Sequence, residues 1–76
     1  MVLNIPYKVV NARFFAPLRD REGSDLTLIP VGAVIIPFGG GAKIESMVYF
    51  HYDDKEYETY RWRFEQCTDQ AHITGD

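Results

Sequence analysis

Seventy-six residues with 46% hydrophobic and 14% aromatic side chains and a formal charge of −3 describe one small folded domain, residues 1–76, and not a disordered chain. A chain this short buries only roughly 60% of its unfolded surface, so five Tyr, five Phe and one Trp exceed what its core can hide, and some rings must face solvent or a partner. Residues 51–76 carry seven acids against three Lys/Arg, and residues 1–50 four against five, which leaves no strongly basic surface of the kind that drives nonspecific nucleic-acid binding.

The opening stretch, MVLNIPYKVV, lacks the charged start, long apolar run and small-residue cleavage site of a secretory signal. Cys67 stands alone, so no intramolecular disulfide can form. The richest apolar stretch, residues 26–38, is interrupted by Pro30, Gly32 and Pro37 and cannot span a bilayer as a helix. A reduced, cytoplasmic protein without membrane contact is the expectation.

Val10, Ala12, Phe14, Ala16 and Leu18 alternate with Val9, Asn11, Arg13 and Phe15, the period of a half-buried strand. RDREGSD, residues 19–25, follows as a polar loop in which Gly23 can supply a positive-φ turn. Alternation resumes at Leu26 and Leu28. The next run, IPVGAVIIPF, predicts a bent and mostly buried strand: Pro30 and Gly32 punctuate its start, Val34, Ile35 and Ile36 favour extended backbone, and Pro37 marks an edge or an end.

A hairpin is the clearest element. Ile44, Ser46, Val48, Phe50 and Tyr52 alternate with Glu45, Met47, Tyr49 and His51. Asp53 and Asp54 then make a tight turn, although no glycine occupies the usual positive-φ position. Tyr57 and Thr59 point inward on the return strand, opposite Glu56 and Glu58. After it the period changes: Tyr60, Phe64, Cys67 and Ala71 are spaced four, three and four apart, which predicts one or two turns of helix. HITGD at the end could supply a short last strand.

Five short strands, a long polar first loop, a glycine-bent second strand, a hairpin and a late helical turn together resemble the SH3-like small β-barrels. The likeness is carried by ARFFAPL (residues 12–18), SDLTL (24–28), PVG (30–32) and the hairpin, and it implies a mainly β, five-stranded barrel with one short helical turn near the C-terminus. An OB-like or other small barrel is the alternative. The family's proline-peptide groove resembles paired tyrosines in the first strand, a Trp opening the third strand and a late Pro-x-x-Tyr turn. Phe14 and Phe15, Ser46-Met47-Val48 and EQCTDQA stand at those places here, so the likeness implies the fold and not polyproline recognition.

FGGGAK invites a phosphate-loop reading, but Ala42 separates Gly41 from Lys43 and Ile44 stands where a Ser or Thr would hold magnesium. Ile44 also replaces the third glycine of a dinucleotide loop, and a strand pattern follows where a helix N-terminus would be needed. The stretch reads as a strand connector. His51, His72, Asp53 and Cys67 lack the paired spacing of a metal site, Cys67 falls on the apolar side of the helical turn as a core thiol, and Asp53, Asp54, Glu56 and Glu58 read as a charged edge that discourages strand pairing. Neither a catalytic constellation nor a cofactor is expected.

Aromatic and cationic side chains remain. Arg13 and Phe15 share the outward face of the first strand; Met47, Tyr49 and His51 share that of the third; YRWRF adds Arg61, Trp62 and Arg63. Rings interleaved with arginine suit a homo-oligomer interface, a protein or peptide site, or stacking on single-stranded nucleic acid. The expectation is a non-enzymatic, self-associating interaction module that contacts a protein or peptide through Arg13, Phe15, Tyr49, His51, Arg61, Trp62 and Arg63. A nucleic-acid-binding barrel, which the net charge disfavours, and an oligomeric enzyme with a site at a subunit junction are the alternatives.

Overall fold

A computed structural model describes residues 2–19, 25–40 and 46–71. Seven short strands and one helix follow in order: β1 (Tyr7–Val9), β2 (Phe15–Ala16), β3 (Thr27–Leu28), β4 (Val34–Gly39), β5 (Met47–Tyr52), β6 (Lys55–Tyr60), α1 (Arg61–Cys67) and β7 (Thr68–Gln70). Five strands form one sheet in the order β6-β5-β4-β1-β7, and β2 and β3 form a separate ribbon. Every pairing is antiparallel.

The hairpin forms with the expected phase from Met47 onward; Ser46, expected inward, precedes the strand and is exposed, and Ile44 and Glu45 lie outside the described residues. β5 and β6 pair without interruption from Met47↔Tyr60 to Tyr52↔Lys55, and Val48, Phe50, Tyr57 and Thr59 are buried. The two-residue turn needs positive φ at both positions, and Asp53 (+54°) and Asp54 (+62°) supply it. Aspartate tolerates this region better than most non-glycine residues.

The long strand expected over residues 9–18 is two strands separated by a turn. The Asn11 side chain accepts a hydrogen bond from the Arg13 N–H at 2.8 Å, the local turn that asparagine favours. Val10 and Ala12 therefore lie exposed, while Phe14 and Ala16 keep their inward positions. β4 also departs from expectation. Val34 and Ile36 are exposed and only Ile35 and Pro37 are buried. Pro37 lies inside the strand, because β1 pairs with β4 only at Val34 and Ile35 and the β5 register slips between Pro37 and Gly39.

The core gathers Val9, Phe14, Ile29, Ile35, Val48, Phe50, Phe64 and Cys67, all fully buried, with Tyr7 and Tyr57 nearly so. Its centre is a chain of rings: Phe50 contacts Phe14 and Tyr57 at 5.7 Å each and Phe64 at 6.0 Å, and Phe64 meets Tyr7 edge-on at 5.2 Å. The Thr68 hydroxyl donates to the Phe64 carbonyl at 2.7 Å and closes α1.

The molecule is mainly β with one short helix, but the five-stranded sheet is not closed into a barrel: β6 and β7 end it and do not pair with each other. α1 connects these two strands and turns Phe64 and Cys67 into the core beneath that seam. The helix is Arg61–Cys67, starting one residue later and ending four residues earlier than the four-three-four spacing suggests: Tyr60 belongs to β6 and is exposed, and Ala71 follows β7. The last strand is Thr68–Gln70; HITGD lies outside the described residues.

Candidate functional site

Residues 17–19 tie the β2–β3 ribbon to the outer edge of β6. The Glu58 N–H donates to the Pro17 carbonyl at 3.1 Å, the Arg19 N–H donates to the Glu56 carbonyl at 2.9 Å, and Leu18 bridges to Tyr57. This attachment holds the ribbon beside the start of α1. A cleft of about 430 Å³ opens between them, walled by Phe15, Pro17 and Leu26 on one side and Tyr60, Trp62 and Arg63 on the other, with Met47, Glu58 and Thr59 completing the lining.

Most of that lining is apolar, for local reasons. Phe15 faces outward because β2 is phased to bury Phe14 and Ala16. Trp62 faces outward because α1 buries Phe64 and Cys67. Tyr60, the last residue of β6, stacks on Trp62 with ring centroids 6.2 Å apart and planes at 15°. The Arg63 guanidinium donates to the Arg13 carbonyl, which ties α1 to the turn before β2.

The expected aromatic and cationic surface is thus divided. Phe15, Trp62 and Arg63 meet at the cleft, with Arg13 behind Arg63. Arg61 does not line it: its Nε donates to Glu65 at 3.0 Å along the helix. Tyr49 and His51 belong to a second cluster on the outer face of β4 and β5. There Phe38 stacks on His51 at 4.1 Å and 25° and lies 6.1 Å from Tyr49. The Arg19 guanidinium sits 4.4 Å from the Tyr49 ring centre and 5.6 Å from that of Phe38, and pairs with Glu56 at 2.8 Å. This cation–π contact covers the cluster with a side chain of the protein itself.

Pro17, Leu26 and Tyr60 line the cleft, and Phe38 and Arg19 complete the second cluster, without having been singled out in the sequence. Leu26 alternates with Leu28, a pattern that fits either face of a strand. Nothing in the sequence brings Arg19 to Tyr49; only the pairing of residues 17–19 with β6 does so.

Cys67 is fully buried, as its helical phase requires. Among the described residues no group of three or more His, Cys, Asp or Glu is placed to hold a metal ion, and none of the described helices is long and apolar enough to cross a membrane. The glycine stretch is described only through Gly39 and Gly40; Gly41, Lys43 and Ile44 lie outside the described residues, as does His72. No family model, curated protein or solved structure matches this chain.

Proposed function

We propose that this chain is a non-enzymatic interaction module, built on an SH3-like scaffold, whose aromatic cleft receives apolar side chains of a protein or peptide partner. The observation that carries the reading is the cleft itself: a concave, largely apolar site between β2–β3 and α1, with the Tyr60–Trp62 stack open to solvent on its rim. Aromatic residues, methionine and arginine are the side chains enriched in the buried centres of protein interfaces.

The scaffold reading draws on the long excursion between β1 and β4 that carries the β2–β3 ribbon, the positive-φ Gly32 at its end, the β5–β6 hairpin and the helix before the last strand. A protein partner is favoured over nucleic acid because three of the four described arginines are turned to other uses. Arg61 pairs with Glu65, Arg19 with Glu56, and Arg63 with the Arg13 carbonyl. A strand-tracking site would need them free to follow phosphates.

Random peptides displayed on phage and selected on the immobilised protein provide the test. A selected apolar peptide is expected to shift the emission of Trp62, the single tryptophan, to shorter wavelength, and Trp62→Ala to abolish its binding. Oligo-dT at low salt serves as the comparison. If oligo-dT binds with strong salt dependence, and neither a peptide nor a protein surface occupies the cleft, the reading is wrong.

A further inference from the structure

We propose that the occupant of the cleft is a second copy of this chain, docked about a two-fold axis over the outer face of the β2–β3 ribbon. This rests on the interaction-module reading and names its partner.

The exposed apolar surface has the size of one side of a dimer interface. Phe15 and Leu28 stand opposite each other in the ribbon, Leu26 follows on the same side, and Tyr60 and Trp62 continue the surface across the cleft. Their exposures are 43%, 47%, 61%, 56% and 60%. With about 150–250 Å² for each large side chain, the patch amounts to on the order of 500 Å². A standard interface covers about 800 Å² per partner, of which about 56–65% is apolar, so one copy supplies the apolar area that its half of an interface requires. This lies at the upper end of what monomers expose, about 300–600 Å².

Charge at the two ends of the ribbon is self-complementary. Arg13 precedes β2 and Asp25 lies just ahead of β3. Because the two strands are antiparallel, these residues mark opposite ends, about 15 Å apart at the usual rise per residue. Neither side chain has a hydrogen-bond or ion-pair partner among the described residues. A two-fold axis lying in the contact plane and crossing the strands opposite the middle of the ribbon brings the Arg13 end of each copy to the Asp25 end of the other, forming both contacts at once. The apolar residues between them then cover one another, and the concavity beside Trp62 lets the two rims interdigitate. A chain of this size gains burial from such a partner that its own core cannot provide.

Sedimentation equilibrium of the full chain tests the proposal. The wild type is expected to dimerise, with Trp62→Arg and Phe15→Arg each weakening dimerisation at least about a hundredfold while far-UV circular dichroism stays native, since both side chains are exposed. Val34→Ser, on the outer face of β4 beside β1, is expected to leave the dimer intact. Arg13→Asp and Asp25→Arg should each weaken it several-fold, and the double charge exchange should restore it, a rescue that only a partner of identical sequence produces. A dimer indifferent to Trp62→Arg, or a double exchange weaker than either single variant, overturns the proposal. A chain that stays monomeric into the millimolar range overturns it as well. If a selected peptide still shifts Trp62 emission in that monomer, the interaction-module reading survives alone; if none does, both fall.

Discussion

Replacing Gly32 by alanine isolates a backbone cost with almost no steric part. Gly32 occupies the third position of a turn over residues 30–33, in which the Ala33 N–H donates to the Pro30 carbonyl at 3.1 Å. Its φ is +91°, as a type II turn requires at that place. A Cβ added there meets nothing within 4 Å, so any penalty is conformational. An L-residue held at positive φ costs roughly 1–2 kcal/mol, and +91° lies beyond the favoured left-handed well of about +50 to +70°. The lower entropy of alanine in the unfolded chain returns about 0.4–1 kcal/mol. The turn cannot relax freely, because the Gly32 N–H donates to the Val9 carbonyl at 2.8 Å and the Val9 N–H to the Ala33 carbonyl at 2.9 Å. A net loss of about 0.5–1.5 kcal/mol is expected, out of about 4–11 kcal/mol for a domain of this length. Gly32→Asn should cost less, since asparagine visits positive φ more readily. Urea unfolding at 25 °C followed by circular dichroism measures all three proteins. An alanine variant as stable as the wild type, or an asparagine variant less stable than the alanine one, refutes the reasoning.

Phe50→Ala removes the ring that Phe14, Tyr57 and Phe64 share and is expected to cost about 3–5 kcal/mol, and Phe50→Leu, which leaves a smaller cavity, less; calorimetric melting measures both, and an alanine loss below about 1.5 kcal/mol would deny Phe50 its central place. Asp54→Gly relieves a non-glycine residue at φ +62° in a two-residue hairpin turn and should raise the urea midpoint, by roughly 0.5–1 kcal/mol in stability. The Cys67 thiol is fully buried, so its reaction with a chromogenic disulfide should proceed only through opening of the structure and accelerate sharply in urea; rapid reaction of the native protein would contradict that packing.

The parts of the fold legible in the sequence are those where one period runs long enough to decide which face is buried. The β5–β6 hairpin keeps its alternation over six residues on each strand, and α1 announces itself through Phe64 and Cys67. β1 is three residues long, too short for a period to register, and the Asn11 turn that ends the alternation beyond it depends on one side-chain hydrogen bond. Val10 and Ala12 read as inward-facing yet lie on the surface, while Val9 of the opposite phase is fully buried, because the Asn11 turn reverses the phase between β1 and β2; Val34 lies on the surface because β4 buries the alternate residues Ile35 and Pro37.

The candidate site was legible in its residue types and not in its grouping. Phe15, Trp62 and Arg63 are brought together only by the attachment of residues 17–19 to β6. The same attachment carries Arg19 to Tyr49 and separates the Tyr49–His51 cluster from the cleft. Leu26 and Tyr60 join the cleft through tertiary placement, and a local pattern assigns them equally well to a core.

Trp62 is both the centre of the proposed surface and the only tryptophan in the chain, so its emission spectrum reports directly on whether that surface is covered. Emission recorded from low micromolar to millimolar protein should move to shorter wavelength along a single binding curve, as the exposed indole leaves water, and Phe15→Arg should keep it at the solvent-exposed position throughout. An emission maximum that stays fixed over the whole range in the wild type would contradict the assignment of this face to a second copy of the chain.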